Sequence, residues 1–296
     1  MMTIRFSVAY RTTFGENLFV VIEQNKRQQP IPMHYAGADR WCGEATLAKA
    51  VDTLRYRYEV RRGEEVVRQE WGVPHCLTVS EKSKMVEIYD HWHEMPSDRP
   101  FRSSMFTDGV FARPKRKAVK PVNEGEVVIR AEIPVVRSSQ QVVLVGDHNT
   151  LGAWEVAKGV VMSDAEAPVW SATIKASHLQ TPFAFKFVIV DGKSGEVVAW
   201  EKGENHYCSM TPEKKAVTVI DSLRPQFDLP AWRGAGVAIP VFALRSTKSF
   251  GVGEFFDLKL MVDWAASTGQ SIIQILPVND TTMTGSWQDS YPYNAN

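Results

Sequence analysis

The chain has 296 residues, of which 44% are hydrophobic and 23% are charged, the ordinary proportions of a globular protein. It carries 34 basic and 34 acidic residues, so its formal net charge at pH 7 is zero. This balance argues against nucleic acid as the main partner, because phosphate binding requires a basic excess on some face. The length suffices for two ordinary domains and part of a third.

The cysteines and the N-terminus indicate in which cellular compartment the protein works. Cys42, Cys76 and Cys208 are few and odd in number, which favours free thiols in a reducing environment over a disulfide framework. The first residues show no cleavable signal pattern, and no apolar run is long enough to span a bilayer. We therefore expect a cytoplasmic protein without a membrane partner. The sequence shows no motif for a metal ion or a cofactor, and we expect neither.

The first two thirds of the chain contain a repeat. Each copy has a tryptophan, a basic residue 16 positions later and a second tryptophan 14 positions after that: Trp41, Arg57 and Trp71, then Trp170, Lys186 and Trp200. The period of 129 residues, from Trp41 to Trp170, is too long for a solenoid and equals one domain plus a linker. The repeat therefore predicts two copies of one domain in tandem.

Both copies are predicted to be all-β. In the second copy the strand candidates VVIRAEI, QVVLVG, VWSATI, FAFKFVIV, EVVAW and AVTVI are short and separated by turn residues, which is typical of an antiparallel sandwich. Alternation along FAFKFVIV directs its three phenylalanines and Ile189 to the core, and Ala184, Lys186 and Val188 to the other face. Trp170 shares a face with other apolar residues of its strand and is predicted to pack in the core.

Linker composition then sets the domain limits. We predict a first module at residues 1–107, a linker at 108–123, a second module at 124–221, a second linker at 222–235 and a different domain from 236 to 296. Both linkers are rich in proline and charge. The basic run from Arg113 to Lys120 is interpreted as a solvated linker, with a docking patch as the alternative.

Four residues of the second module have the chemistry of a sugar site. Trp154 stands in the tight loop VGDHNTLGAWE, and Trp200 ends a strand with Asn205 five residues later. Sugars offer apolar C–H faces and a rim of hydroxyls, which proteins bind with flat aromatic rings and a few amide or amine donors. Lys186 supplies such an amine. The alternatives are that Trp154 is a half-buried packing residue and that Lys186 is simply solvated.

The second module resembles the starch-binding domains of carbohydrate-binding family 20, which are immunoglobulin-like β-sandwiches. The shared features are VxxVGxxxxLGxW, the strand FKF, and a tryptophan followed five residues on by asparagine. The resemblance implies that Trp154 and Trp200 form the platform of the main glucan site and that Lys186 and Asn205 hydrogen-bond sugar hydroxyls. The family's second site uses early tyrosines, which the stretch VVRSSQQVVLVG lacks, so we expect no second site in this module.

The first module resembles a degraded relative of the same family. In the repeat alignment Trp71 corresponds to Trp200 and Arg57 to Lys186, whereas Cys76 stands in place of Asn205 and no Leu-Gly-x-Trp is present. The stretch TTFGENLFVV places Phe14 where the family has its second-site tyrosine. The resemblance thus gives Trp71, Phe14 and Arg57 as weaker glucan-binding candidates, and leaves a purely structural role open.

The last segment is predicted to form one βαβ unit. GVAIPVFAL and SIIQILPV are short apolar strands, the second read as buried on both sides like a parallel strand. Between them FFDLKLMVDWAAS carries a helical apolar face that Gly269 terminates. The face comprises Phe255, Leu258, Met261, Val262 and Ala265. Such a unit begins a parallel barrel or an open sheet.

This segment resembles the start of a family 77 glucanotransferase (β/α)8 barrel, the amylomaltase or disproportionating enzyme family, on GVGEFFDL, GQSIIQILPVND and DSYPYNAN. With the tandem modules, the order resembles the cytosolic disproportionating enzyme type. The resemblance implies a 4-alpha-glucanotransferase that moves α-1,4-glucosyl units from maltose or malto-oligosaccharides to a glucan acceptor by a retaining mechanism.

The resemblance also places the residues of the reaction. The family's catalytic carboxylates lie on later barrel strands, so we expect no catalytic residue in this chain. Neither Asp280 nor Asp289 matches the family's nucleophile. Ser290 and Tyr293 match its substrate-contacting turn, although Tyr291 interrupts the pattern.

Three functions remain open from the sequence. The first is the glucan-binding N-terminal part of a 4-alpha-glucanotransferase, inactive by itself, with starch, glycogen, heteroglycan or malto-oligosaccharides as partners. The second is a stand-alone starch- or glycogen-binding protein without catalysis. The third is a sandwich module that binds another protein.

Overall fold

The computed structural model describes residues 1–24, 27–48, 53–113, 118–278 and 285. The chain divides into two compact units, Met1–Leu229 and Pro230–Asn296, which are described separately below. Both predicted modules fall within the first unit. In the described residues no helix is long and apolar enough to cross a membrane.

The first unit is built from strands, as predicted. Its first nine strands form the first module: β1 (Met2–Ala9), β2 (Asn17–Gln24), β3 (Arg27–Pro32), β4 (His34–Gly37), β5 (Arg40–Leu47), β6 (Thr53–Arg62), β7 (Glu65–Gln69), β8 (His75–Thr78) and β9 (Met85–His91). The second module follows: β10 (Glu126–Glu132), β11 (Gln140–Gly146), β12 (Val160–Val161), β13 (Ser163–Glu166), β14 (Val169–Lys175), β15 (Phe183–Asp191), β16 (Val197–Trp200), β17 (His206–Cys208) and β18 (Val217–Leu223). All six strand candidates of the second module are confirmed. Three further strands were missed: β12 and β17 have only two and three residues, and β13 (SDAE) has no apolar alternation.

Helical segments are few in the described ranges. They are 3-10 helices at Arg99–Arg102, Asn149–Leu151, Val156–Lys158, Ala176–His178 and Val241–Ala243, a π-helical turn at Met105–Val110, and the helix α1 at Asp257–Ser267.

Three sheets make up the first unit. The central sheet has the order β13-β14-β10-β18-β9-β1-β5-β4, so it runs through both modules. The first outer sheet is β3-β2-β6-β7 with β8 beside β6, and the second outer sheet is β12-β11-β15-β16 with β17 beside β15. Most pairs are antiparallel, but β1 with β9, β10 with β18, and β9 with β18 are parallel. The β9–β18 pair joins the two modules along one seam.

The central sheet turns opposite faces to the two outer sheets. Ile88 and its partner in register, Val219, belong to the hydrophobic core beneath the first outer sheet, whereas Ile220 belongs to the core beneath the second. Successive side chains of a strand point to opposite faces. The first outer sheet therefore covers one face of the central sheet and the second outer sheet covers the other, and β18 is buried along its whole length.

The predicted core of the second module is confirmed. Phe183, Phe185, Phe187 and Ile189 all lie in the second core. Trp170 is only 1% exposed, and its indole nitrogen donates a hydrogen bond to the carbonyl oxygen of Ile133 at 3.1 Å. The period-two pattern therefore gave the correct face for each of these side chains.

The second unit contains the predicted βαβ unit. β19 (Gly236–Ile239) pairs in parallel with β20 (Ile272–Ile275), and α1 lies between them in the chain. Gly269 has φ +72°, which fits its predicted role in ending the helix. The barrel remains an expectation, since two strands are described.

The expectation of a fully buried last strand is wrong for the described residues. Ile275 is 42% exposed. On the predicted apolar face of α1, Phe255 and Val262 are also exposed, whereas Ala265 is buried. A single helix covers only one side of two short strands, which leaves the other side uncovered.

Candidate functional site

The second outer sheet carries a row of valines on the face turned away from the core. Val143, Val145, Val188 and Val190 are buried there. The partly buried side chain of Trp154 packs against this cluster. Contact with outward-facing valines places Trp154 on the face from which Lys186 also projects.

The loop after β11 positions Trp154. Leu151 is fully buried and anchors the loop in the core. Gly152 has φ +83°, and a Cβ there would lie 2.7 Å from the carbonyl oxygen of Glu155, so glycine is required. Trp154 itself has φ +66°, and its backbone N–H donates to the carbonyl oxygen of Gly146 at 2.7 Å. The Leu-Gly-Ala-Trp segment thus reverses the chain and brings the indole onto the outer face.

Trp200 lies on the same face as Trp154. It stands opposite Val188 in the antiparallel pair of β15 and β16, and directly opposed residues project to the same side. Its side chain is 40% exposed. Val188 belongs to the valine cluster beneath Trp154, so one valine links the two tryptophans. The structure therefore places the two predicted platform residues on one face of the sheet.

Lys186 and Asn205 are the predicted polar residues beside the two tryptophans. The Lys186 ammonium donates to the carbonyl oxygens of Glu201 at 3.1 Å and Gly203 at 2.6 Å, and so holds the loop that follows Trp200. An ammonium has three N–H donors, which leaves one for a ligand. Asn205 is partly buried, and its amide has no hydrogen-bond partner within the described residues. Lys186 is thus neither simply solvated nor fully occupied.

Sequence reasoning missed a tyrosine beside these groups. Tyr207 pairs with Ala184, which shares the outer face with Lys186, and it is 74% exposed. The available signal was its place two residues after Asn205 in a short strand. The outer-face site, as used below, comprises Trp154, Lys186, Trp200, Asn205 and Tyr207.

A pair formed by the buried Glu201 and the partly buried His206 supports the loop that follows Trp200. Glu201 accepts a hydrogen bond from the backbone N–H of Phe187 at 3.1 Å and contacts Nε2 of His206 at 2.6 Å. Five positions separate the two residues, and the sequence analysis did not use this spacing. The pair ties β15 to the strand β17, next to Asn205.

The first module contains the same pair, and this corrects the repeat alignment. Glu70 accepts from the backbone N–H of Tyr58 at 2.9 Å and contacts His75 Nε2 at 3.0 Å. Glu70 therefore corresponds to Glu201, an offset of 131 rather than 129.

The assignment of Trp71 as the counterpart of Trp200 is consequently wrong. The structural counterpart is Gln69, which lies opposite Glu59 as Trp200 lies opposite Val188. Cys76 likewise does not stand at the position of Asn205; Pro74 does. The β6–β7 hairpin is two residues shorter than the β15–β16 hairpin, so two tryptophans with equal spacing occupy different places.

The other first-module candidates are separated from each other. Arg57 does occupy the place of Lys186, but its guanidinium pairs with Glu23 at 2.7 Å. Phe14 is fully exposed at the turn between β1 and β2, next to Gly15 with φ +84°. The part of both residues in binding stays a prediction.

A buried polar network lies where the modules meet. The ligand atoms of Glu70, His75 and His93 lie within 4.8 Å of one another, as do those of His75, Asp90 and Asp221. Such sets have metal-ligand chemistry, but their members pair internally. Glu70 also accepts from the backbone N–H of His93 at 3.0 Å, and Asp90 accepts from the hydroxyl of Tyr58 at 2.7 Å.

The network shifts the acidity of its members. Burial alone would lower the pKa of His75, but the adjacent Glu70 carboxylate raises it to about 9. Burial, opposed by His75, raises the pKa of Asp90 to about 6. Burial and the positive charge of His75 lower the pKa of His93 to about 4. Near neutral pH, therefore, His75 is charged and His93 is neutral.

The candidates of the barrel loop lie outside the described residues. Ser290 and Tyr293, the predicted substrate contacts, belong to this group, and so do Asp280 and Asp289. Their roles stay predictions.

Family models match two parts of the chain. Residues 126–220 match the starch binding domain family, and residues 239–296 match the 4-alpha-glucanotransferase family of glycoside hydrolases. The first match covers the second module with the outer-face site. The second covers most of the βαβ unit.

Individual relatives agree with the family models. The 4-alpha-glucanotransferase DPE2 of Oryza sativa subsp. japonica is 29% identical over 99% of this chain, which spans 33% of that relative's length. A 4-alpha-glucanotransferase of Chlamydia trachomatis is 48% identical over 20% of this chain and 10% of its own length. Among solved structures, the family 20 module of a maltotetraose-forming amylase from Pseudomonas saccharophila STB07 is 22% identical, covering 32% of this chain and 99% of that module, with a TM-score of 0.28. Residues 126–220 are thus similar to starch-binding domains, and residues 239–296 are similar to part of a 4-alpha-glucanotransferase.

Proposed function

We propose that this chain is the glucan-binding part of a 4-alpha-glucanotransferase, and that its outer-face site holds α-1,4-linked glucan. The observation that carries the proposal is the placement of Trp154 and Trp200 on one face of the second outer sheet, beside an amine and an unpaired amide. Flat apolar surface with polar donors at its edge matches the two surfaces of a pyranose ring.

Each residue has a role in the proposed site. The indoles of Trp154 and Trp200 cover sugar C–H faces. The free N–H of Lys186 and the amide of Asn205 bond to ring hydroxyls, and the exposed phenol of Tyr207 extends the surface. The partners are maltose, malto-oligosaccharides and the polymers starch, glycogen or heteroglycan. The three free cysteines support a reducing, cytoplasmic location.

The transfer reaction is proposed for the whole protein, since the chain spans about a third of its rice relative. By the retaining route, a carboxylate attacks the anomeric carbon, a carboxylic acid protonates the leaving oxygen, and a sugar hydroxyl then accepts the glycosyl unit. We assign no residue of this chain to those carboxylates. The outer-face site contributes by keeping polymeric substrate near the barrel.

Calorimetric titration with maltoheptaose and β-cyclodextrin tests the binding proposal. We expect saturable binding of both, and none of cellohexaose, whose β-1,4 links present a different curvature. Binding that the Trp154→Ala/Trp200→Ala double variant retains at full strength would contradict the assigned site. Absence of binding in the unmodified chain would contradict the function.

A further inference from the structure

A cavity of about 350 Å³ opens within the first unit where the two modules meet. Its wall includes Trp71 and His93 from the first module and Glu132, Glu166 and Arg224 from the second module and the residues that follow it. The volume lies at the small end of the range of ligand pockets. The outer-face site contributes no residue to this wall, so the two are separate places on the molecule.

Trp71 is presented to this cavity by a tight turn. Its backbone N–H donates to the carbonyl oxygen of His93 at 2.9 Å, and the next residue, Gly72, has φ +102°. The guanidinium of Arg224 lies 5.8 Å from the centroid of the indole ring. The indole is partly buried, and its N–H has no hydrogen-bond partner within the described residues. A fixed aromatic ring with a free donor at its edge is thus available to a ligand.

The charged groups of the wall are already paired. Glu132 binds Arg224 at 2.7 Å and Arg102 at 2.9 Å. Arg130 binds Asp221 at 2.7 Å and Glu166 at 3.3 Å. Three arginines therefore face three carboxylates, and the charged His75 of the wall is paired with Glu70 at 3.0 Å. An anion would have to break an arginine–carboxylate pair, which is costly in a buried setting, whereas a neutral ligand leaves every pair intact.

The wall still offers hydrogen bonds to a neutral molecule. A carboxylate has about four acceptor positions, so Glu132 and Glu166 keep free lone pairs after their arginine contacts. Pro168 and Val169 add an apolar side. An aromatic ring, an apolar side and several acceptors suit a ligand that has both C–H faces and many hydroxyls.

We propose that this junction cavity is a second saccharide site, which takes a short α-1,4-linked malto-oligosaccharide with one sugar ring against Trp71. The choice of the α-1,4-glucan class rests on the proposed function; the neutrality and polyhydroxylic character of the ligand rest on the cavity. The site does not repeat the outer-face site, because Gln69 and not Trp71 stands at the place of Trp200. Both modules contribute to it, so neither module alone contains the site.

Titration of the whole chain with maltotriose tests this proposal. In the Trp154→Ala/Trp200→Ala background we expect residual binding, weakened at least tenfold by adding Trp71→Ala and changed less than threefold by adding Gln69→Ala. Trp71→Phe retains an aromatic face and should restore most of the residual binding. Loss of all binding in the double variant would overturn the junction site and leave the proposed function intact.

A spectroscopic measurement covers the case in which Trp71→Ala fails to fold. In the double variant, the assigned indole N–H resonance of Trp71 should shift progressively with maltotriose and stay unchanged with inorganic phosphate. The proposal would be overturned if this resonance did not shift with maltotriose, or if it shifted with phosphate instead.

Discussion

At the scale of single residues, the tryptophans of the second module divide between binding and stability. Trp200 is 40% exposed on the outer face, where it can cover on the order of 60–80 Å² of sugar at about 25 cal/mol per Å², or roughly 1.5–2 kcal/mol. Trp200→Ala should therefore weaken maltoheptaose binding about tenfold or more, with Trp154→Ala similar. Calorimetric titration measures this. Trp264→Ala, which removes an exposed tryptophan of α1, is the matched control and should leave the affinity unchanged.

Trp170 should behave in the opposite way. It lies in the second core with its indole nitrogen bonded to the carbonyl of Ile133, and truncation of such a residue costs roughly 3–5 kcal/mol. Trp170→Ala should lower the free energy of unfolding by that amount, as urea denaturation would show. A variant that kept its stability but lost glucan binding would mean that the two faces of this module are reversed.

The residue scale also shows where sequence reasoning succeeds and where it stops. Alternation along FAFKFVIV gave the correct face for each side chain, because a strand leaves only two choices. Equal spacing of tryptophans gave a wrong partner for Trp200, because hairpin length varies between copies. The glutamate five residues before a histidine, Glu70 with His75 and Glu201 with His206, was the better marker of register. These pairs fix the register because their glutamates are buried, and burial cannot be read from the sequence.

At the scale of elements, the loop carrying Trp154 depends on one glycine. A Cβ at position 152 would lie 2.7 Å from a carbonyl oxygen, and the backbone there has the left-handed conformation that residues with a Cβ rarely adopt. At Gly203 the conformation is likewise left-handed, with φ +83°, but no atom lies within 4 Å. The left-handed conformation alone costs roughly 1–2 kcal/mol. Gly203→Ala should therefore lose about that much stability and keep its binding.

Gly152→Ala should lose more stability and weaken maltoheptaose binding as well, because the loop must move and take Trp154 with it. Thermal melts and titrations of the two variants side by side measure the difference. Equal losses of stability in both, with unchanged affinity, would contradict the close packing described for this loop.

At the scale of the whole molecule, the first unit should become less stable as the pH rises. The pKa of His75 is about 9 in the folded state against an ordinary value near 6.5, so the folded form holds this proton more tightly. The resulting stabilisation is complete below about pH 6.5 and disappears as the pH passes through about 9. Urea unfolding at pH 6.5, 8 and 9.5 should show this decline in the unmodified chain. In His75→Gln the free energy of unfolding should decline less with pH. An identical decline in the variant would show that His75 is not the cause.

The joining of the two modules could not be deduced from the sequence. The β18 stretch VTVIDSL is buried on both faces. Val217 and Val219 point to one face of the strand and Ile220 to the other, a pattern that predicts apolar cover on both sides. It does not say what supplies the cover, since any sheet or helix would satisfy the pattern. The cover on one side is the first outer sheet, because Val128, Val217 and Val219 of the second module lie in the core of the first.

This shared core determines how the first unit should unfold. Separating the modules would break the β9–β18 pairing and bring those three valines into water, at roughly 1.5–3 kcal/mol each. Residues 1–229 should therefore unfold in a single transition, in which the calorimetric and van't Hoff enthalpies agree. Val219→Ala should lower the midpoint of that one transition. If the two modules were independent domains, the same change would lower the melting temperature of the second module alone. A separate calorimetric transition of the first module that stayed at its original temperature would therefore show that the β9–β18 pairing does not couple them. If the coupling holds, the junction cavity exists only while both modules are folded, and an oligosaccharide bound there would stabilise the pair together.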